Sequence, residues 1–530
     1  MEPTMLGNWA FYASACLVIW MISSFLNSQF ISAKKLQPFP AGVPVSGMRK
    51  EWFALIRASM RQLTAGVSTL LDGYQKVILT LRRLVSPLRD QLGAGADGPP
   101  EHVKWLLEQP SAIMSSKTIR EERHASGYLH MGVEFESTEF FLERIMRDRL
   151  TKHLGLVQEP MYDEIRHALD ADLGAYARED GKPVKVFPAL QKVILRAICR
   201  VFFGPELTQD DHFMLMYHRY ILAMGVGTMV IGQLPKLLKS VVVPAFNLPL
   251  YYYRTRTLKM LVPVVERRLN LSDGEMDPSD FISQCAKVSH RISPTKTPAD
   301  PAQLAECMML LGFAALNSLA VQASHVLLDI LHCPPELKLY QTLREESEAL
   351  LQSPDDWNAA ETFSKMHIMD SAIRESLRVH PMLIKGLSKE VIATEGIDLP
   401  GGAHLAQGAW LGVPTLGIHR DERFYPNARV YDPFRFAKLR EAQAKASGNK
   451  GTEAANDFDA GKPSTTYLGF GYGRGACPGR WYAVLMIKTM LAYLILHYDA
   501  EAIGTQPPLK TIGDMALPPI SAQVRLRKRV

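Results

Sequence analysis

Hydrophobic positions along the chain fall mostly into blocks with helical spacing, and alternating stretches are short and confined to the C-terminal part. Segments 51–63, 141–154 and 189–203 carry apolar residues three and four apart, and each predicts an amphipathic helix. A longer apolar block runs from Ala302 to Leu331 around MMLLGFAALNSLAVQ. As a helix it reaches about 45 Å, enough to cross a large domain. It carries Glu306, Asn317 and Ser318 and lacks flanking basic clusters, which predicts a buried central helix rather than a membrane span. Segment 364–379 predicts a further helix, stopped by Pro381. Strand signals are few: a hairpin over 389–402 and a buried strand over 409–418. Segment 438–462, rich in Ala, Gly, Asn and charge, predicts a surface loop or insertion. No internal repeat is present. The pattern predicts one large, mainly α body with a minor β component.

The first residues follow a different pattern. No charge occurs between Glu2 and Lys34, and Leu6 to Phe25 is apolar enough to span a bilayer, with Trp9 and Trp20 at interfacial positions. A cleaved signal peptide calls for a basic head, whereas Glu2 makes this one acidic. Lys34 and Lys35 follow the span and place the body on the cytosolic side. Residues 1–33 therefore predict a transmembrane anchor; Asn8, Ser14, Ser23 and Ser24 leave a buried or monotopic helix as the other reading. Pro38, Pro40 and Pro44 make 34–50 a stiff hinge, and 51–530 is the globular body.

Composition narrows the class. With 530 residues, 47% hydrophobic and 22% charged, the chain is not a disordered or low-complexity protein. A formal charge of +6 on this length gives no ground for nucleic-acid binding. The six cysteines, Cys16, Cys199, Cys285, Cys307, Cys333 and Cys477, form no C-x-x-C pair, which argues against a disulfide framework or a thiol-rich zinc site.

One cysteine has an unusual setting. Gly471, Gly473 and Gly475 alternate before Cys477, Pro478 and Gly479 follow, and a strongly apolar helix begins beyond Arg480. Glycines let a backbone wrap closely around a group, and the mouth of a helix favours a thiolate. A shielded thiolate is what a haem iron takes as an axial cysteine ligand. The alternatives are a phosphate-binding loop and a nucleophilic cysteine. The glycines give no G-x-G-x-x-G register, no Lys-Ser/Thr follows them, and no partnered histidine announces itself.

Phe470, Gly473, Cys477 and Gly479 match the F-x-x-G-x-x-x-C-x-G signature, and the chain thereby resembles the cytochrome P-450 monooxygenases. Glu375 and Arg378 match the family's E-x-x-R, and Arg435 in YDPFRF matches the arginine that closes that network. ACPGRWYA, the DGYQK run at 72–76 and MGVEF…DRLTKHLG from Met131 are similar to the fungal ent-kaurene oxidase-like branch of secondary metabolism. The resemblance implies a cytochrome P-450 fold, a single large haem domain behind the anchor. It implies haem b ligated by the Cys477 thiolate, with Phe470, Gly473, Arg474 and Gly479 around the cofactor. Glu375, Arg378 and Arg435 would be a structural triad, and Ala314 and Ala315 would flank the distal oxygen site. Substrate contacts are expected from Met382 to Lys385 and from 113–130.

Several positions depart from the family pattern. Gly475 stands where a propionate-contacting Arg or His is usual, with Arg474 adjacent. W-x-x-x-R is absent, which leaves Arg144, Arg147, Arg149, Lys152 and His153 as undecided haem contacts. The oxygen-activation motif reads Ala314-Ala315-Leu316-Asn317-Ser318-Leu319, so Asn317–Ser318 replaces the acid–alcohol pair. An amide is no acid at neutral pH, and proton delivery is expected from Ser318, Asn317 and ordered water; in the alternative, both only satisfy each other or the backbone. Segment 76–107 lacks the strand pair expected after DGYQK, and Arg82, Arg83 and Arg89 predict a basic helix.

The function implied is insertion of one atom of O2 into a lipophilic secondary metabolite: a terpenoid, indole-diterpenoid or polyketide. Electrons would come from NADPH through NADPH-cytochrome P-450 reductase, with cytochrome b5 as a further partner. The chain would be a single-pass protein of the endoplasmic reticulum membrane facing the cytosol, with no nucleic-acid partner. The rivals are oxidative coupling, desaturation or rearrangement at the same iron, and a membrane-tethered non-enzymatic protein with a degenerate loop.

Overall fold

The computed structural model describes residues 65–85, 100–125, 128–129, 143–172, 174, 182–231, 236–271, 280–292, 300–400, 404–446 and 456–529. The anchor, the hinge, the helix expected over 51–63, the MGVEF segment and Arg89 lie outside the described residues. In chain order the elements that position the site are α1 (Gly66–Val85), α2 (Pro100–Glu108), β1 (Met114–Ser115), α3 (Lys117–His124), α4 (Leu154–Asp172), β2 (Val184–Lys185), α5 (Val186–Phe203), α6 (Asp211–Ile231) and α7 (Lys236–Leu269). They continue with α8 (Phe281–Ile292), α9 (Pro301–Leu331), α10 (Leu339–Leu350), α11 (His367–Val379), β3 (Gly386–Val391), β4 (Trp410–Val413), α12 (Arg435–Ala446), α13 (Arg480–His497), β5 (Tyr498–Ile503) and β6 (Gln523–Lys528).

Helix α9 is the axis of the core. Asp300 caps it by accepting from the Ala302 N–H at 3.0 Å, and Pro301 occupies the first turn, where its missing N–H costs nothing. Its residues are apolar on nearly every side, and α5, α7, α11 and α13 pack around it. The expected buried central helix is what the chain forms. Tyr217 of α6 donates to the Met309 carbonyl at 3.0 Å and lies over Gly312, so α6 can approach α9 there only because a Cβ is missing.

Two antiparallel three-stranded sheets flank the helices, in the orders β1-β3-β4 and β2-β6-β5. β3 pairs with β4 through Lys389↔Leu411, and its register shifts between Gly386 and Lys389, where Leu387 takes φ +51°.

Several local expectations are corrected. Residues 409–418 are not one strand. β4 ends at Pro414, which has no N–H for a ladder, and a short helix follows over Thr415–His419. The 389–402 hairpin is also not local: β3 pairs with β4, and Ile397–Asp398 pairs separately with His404–Leu405. The first part of 438–462 is α12, held by buried Arg440, which pairs with Asp459 at 2.6 Å. The helix expected from 364 begins at His367. Its first free N–H groups, those of Ile368 and Met369, donate to the Glu346 carboxylate of α10 at 2.7 and 2.9 Å, a cap supplied from elsewhere in the chain. Segment 141–154 is broken, with a π turn at Met146–Leu150 and a 3-10 turn at Thr151–His153. Arg82 and Arg83 do lie in a helix, α1, which ends at Val85.

Candidate active site

Helix α11 brings Glu375 and Arg378 onto one face, as their spacing of three requires. The pair is bidentate, with Arg378 Nε donating to Glu375 Oε2 at 2.8 Å and Nη2 to Oε1 at 2.7 Å, and both side chains are fully buried. Arg435, at the start of α12, donates from Nε to the same Oε1 at 3.0 Å. Most of the spare donors are spent on backbone, while Arg435 Nη2 has no partner among the described residues. Arg378 reaches the carbonyls of His419, Ala428 (2.6 Å) and Val430 (3.3 Å), and Arg435 reaches that of Pro426 (2.7 Å). The Asp432 N–H returns to Glu375 Oε1 at 3.1 Å. The three charges thus fasten segment 419–432 to α11.

His419 extends this network to the cysteine loop. Its Nε2 lies 2.8 Å from the Leu468 amide nitrogen and its Nδ1 lies 2.9 Å from the Arg378 carbonyl oxygen. An amide N–H can only donate, so Nε2 is the acceptor and the proton is assigned to Nδ1. Burial, reinforced by the Arg378 charge, lowers the His419 pKa to about 3. Sequence reasoning missed this residue, which carries no periodic signal and directly follows the segment read as a strand.

The sign of the resulting pH dependence follows from linkage. The unfolded histidine has a pKa of about 6.5, so between that value and about 3 the unfolded chain binds the extra proton. The contribution is present in full above the unfolded pKa and is lost as pH falls toward the folded one. The unfolding midpoint is expected to drop from pH 7 to pH 4, and His419→Gln, which cannot titrate, is expected to flatten that drop. His419→Leu leaves the Leu468 N–H and the Arg378 carbonyl unpaired and is expected to cost about 1–3 kcal/mol. Urea titrations at the two pH values check both; equal pH slopes for wild type and His419→Gln contradict the assignment.

The loop from Leu468 folds on its own backbone. The Gly471 N–H donates to Leu468 O at 3.0 Å, the Ala476 N–H to Gly473 O at 3.2 Å, and the Cys477 N–H to Phe470 O at 2.8 Å. Gly471 and Gly473 hold φ of +76° and +60°, and a Cβ on Gly471 would stand 2.7 Å from Gly475 O. Gly479 faces Met146, and Thr151 donates to Pro478 O at 3.1 Å, so the irregular turn before α4 covers this side of the loop. The Cys477 thiol keeps accessible surface, yet burial raises its pKa, against the pull of the Gly479 N–H and Arg480. Both hold for a thiol lining an internal space. The helix-mouth effect expected to favour a thiolate is therefore outweighed by burial in the protein alone, and coordination to a metal would deprotonate the thiol.

Helix α9 opens in its middle. Between Leu304 and Ile330, Ala314 is the exposed residue, flanked by partly exposed Phe313, Ala315, Asn317 and Ser318. The Ser318 hydroxyl donates to Ala314 O at 2.9 Å, with Ala315 O at 3.2 Å. Asn317 is turned the other way: Gln191 of α5 donates to its Oδ1 at 3.1 Å. The two side chains therefore do not bond each other.

Cationic groups gather beside the loop. Lys389 of β3 donates to the carbonyls of Leu107 (3.3 Å) and Gln109 (3.1 Å), and burial together with nearby Arg474 lowers its pKa. Leu387 packs 3.3 Å from where a Gly475 Cβ would stand, so a larger residue there would be crowded. Arg144, Arg147, Lys152 and His153 are partly or largely exposed on the preceding turn, and Arg147 pairs with Glu143. Of the segments expected to touch substrate, Met382 and Leu383 are half-buried, and Lys385 is engaged by Asp514 at 3.2 Å. Within 113–130, Met114 and Leu129 are core residues.

These residues fit a haem. An accessible thiol sits on a self-closed glycine loop, the helix packed against α13 presents a window of small side chains, and two cations that repel each other lie where an acidic group would relieve them. Among the described residues no group of three or more His, Cys, Asp or Glu gathers to hold a metal, so a macrocycle supplying the remaining ligands suits a single cysteine.

Comparison with known proteins agrees. The sequence profile of the cytochrome P450 family matches residues 100–526. The chain is 45% identical over 516 residues to cytochrome P450 monooxygenase fsoD of Humicola fuscoatra, covering 93% of each chain. It is 42% identical to cytochrome P450 monooxygenase efuH of Hormonema carpetanum, covering 96% of this chain and 90% of that one. Among solved structures, the retinoic acid-bound cyanobacterial CYP120A1 superposes with a TM-score of 0.54 at 19% identity, over 73% of this chain and 78% of the other, a likeness of fold. The long match to the family profile and to these relatives, laid over the geometry around Cys477, makes the chain a member of the cytochrome P450 family, a haem-thiolate oxidoreductase.

Proposed function

We propose that this protein inserts one oxygen atom from O2 into a lipophilic small molecule of fungal secondary metabolism, a terpenoid, indole-diterpenoid or polyketide. The carrying observation is the opening in α9, where small Ala314 and Ala315 beside Phe313 offer an apolar surface in an otherwise buried helix. Met382 and Leu383, half-buried, would add apolar substrate contacts, because Asp514 takes up the charge of Lys385. Haem held by Cys477, with Phe470, Gly473 and Gly479 shaping the loop and Arg474 and Lys389 toward its acidic edge, would supply the O2 chemistry. Electrons would come from NADPH through NADPH-cytochrome P-450 reductase, with cytochrome b5 as a second donor. Residues 1–33 would anchor the body to the endoplasmic reticulum membrane, facing the cytosol.

In this reading Ser318 positions a hydrogen bond in the groove. Its proton is committed to Ala314 O, so its lone pairs remain able to accept from a group bound there. Asn317, held by Gln191, fixes the turn of helix behind it and handles no proton. Ser318→Ala is expected to lower product formed per NADPH several-fold and to raise released peroxide by the difference, with haem content unchanged. Unchanged coupling and product profile in Ser318→Ala and Asn317→Ala would exclude a role for the pair. Turnover under labelled O2 tests the reaction class: one labelled atom in the product supports insertion, whereas an unlabelled oxidised product supports coupling or desaturation.

A further inference from the structure

Beyond Ser318, α9 carries a buried polar cluster that has no role in the reading above. Ser318, Gln322, His325 and Asp329 are spaced by four, three and four residues and so share one face, running from the groove toward the C-terminal end of the helix. The rest of that helix is almost wholly apolar, and Gln322, His325 and Asp329 are each more than nine-tenths buried. Such residues are costly in a core unless they bond one another or serve a purpose.

Their partners come from two other elements. His380, at the C-terminal end of α11, stacks on His325 with centroids 4.4 Å apart and planes 7° apart. Its Nε2 lies 3.1 Å from Asp329 Oδ1, and its carbonyl accepts from Gln322 Nε2 at 3.2 Å. Ser376 donates to Asp329 Oδ2. Gln506, an exposed residue after β5, donates to Asp329 Oδ1, so the far end of the cluster meets solvent. Three polar atoms remain without a partner although fully buried: Gln322 Oε1, His325 Nε2 and His380 Nδ1. They belong to three residues joined by the His325–His380 stack and the Gln322–His380 hydrogen bond, and together they supply the two to four contacts that a buried water requires.

We propose that this face of α9 is a water-bearing proton path, with a buried water held by Gln322 Oε1, His325 Nε2 and His380 Nδ1, linking solvent at Gln506 and Asp329 to the groove at Ser318. In each passage one proton enters from solvent at the Asp329 end and one leaves at the Ser318 end. No electron moves and no charge is left behind. Asp329 and His380 are the exchanging pair. His325 is a neutral wall: burial, helped by His380 and opposed by Asp329, puts its pKa at about 3, so it directs water without taking up a second ring proton. The path supplies what an Asn317 amide cannot, and it rests on reading the α9 groove as the reaction site.

Two measurements on the haem-loaded full chain test it. A high-resolution crystal structure is expected to show an ordered water within hydrogen-bonding distance of the three unpartnered atoms; a dry cluster overturns the proposal. Asp329→Asn keeps the shape while removing the exchangeable acid: its Oδ1 still accepts from Gln506, and its Nδ2 donates to the Ser376 hydroxyl, whose bond reverses. It is expected to keep the thiolate-type Soret band and the unfolding midpoint, to raise peroxide released per product several-fold, and to enlarge the solvent deuterium effect on product formation. A clamp with no transport role predicts the reverse, a lowered midpoint with unchanged partitioning, and that result overturns the proposal. Should Asp329→Asn not fold, Gln322→Met decides by the same partition ratio, since it displaces the water without touching the acid. Loss of the Soret band in the wild type would instead overturn the functional reading beneath it.

Discussion

Cys477→Ala is expected to fold and to be inactive, with turnover lowered at least about 1,000-fold, equivalent to about 4 kcal/mol of barrier. The loop does not depend on the sulfur for its shape. Its closure uses the Cys477 backbone, through the N–H to Phe470 O and the carbonyl that accepts from Arg480 Nη1 at 2.9 Å, together with the left-handed glycines. The sulfur is therefore free for ligation, and among the described residues no other cluster offers iron a protein ligand set. Circular dichroism and the unfolding midpoint should match those of haem-free wild type, while haem content, the thiolate-type Soret band and product formation are lost. Retained turnover would remove Cys477 from the chemistry. The other described cysteines, Cys199, Cys285, Cys307 and Cys333, are buried or half-buried, and their replacement by Ala or Ser should leave the band in place.

Glu375→Gln and Arg378→Ala are expected to fail earlier, at folding or haem loading. Taking one partner from a fully buried ion pair leaves the other charge uncompensated, at a cost of about 3–5 kcal/mol. That is a large share of a typical stability of about 5–15 kcal/mol. Here the loss is greater than one pair, because Arg378 also fastens the carbonyls of His419, Ala428 and Val430. Arg378→Lys should rescue little, since an ammonium cannot hold a bidentate carboxylate and three carbonyls from one fork. The check is the haem-to-protein ratio and the urea midpoint after purification. The exposed Arg147–Glu143 pair is the control, and Arg147→Ala should change stability little.

The sequence made some parts of this molecule plain and hid others, for physical reasons. Helix α9 was legible because its 31 residues are predominantly apolar, and the E-x-x-R pair because helical spacing alone puts Glu375 beside Arg378. Cys477 stood out because its glycines satisfy a local backbone demand. Features set by distant parts of the chain were not legible. The start of α11 depends on Glu346 of another helix. The orientation of Asn317 depends on Gln191, which lies 126 positions earlier. His419 matters only because the fold brings Leu468 and the end of α11 to its two nitrogens. The strand expected over 409–418 failed at Pro414, where apolar periodicity continued but the backbone could not.

The central claim is that Cys477 ligates a haem iron as a thiolate at the groove opened in α9. The most direct measurement is the absorption spectrum of the purified full-length protein, reduced under carbon monoxide. The account predicts the thiolate-type Soret band in the wild type and its loss in Cys477→Ala. A wild-type protein that binds no haem, or binds it without that band, would contradict it.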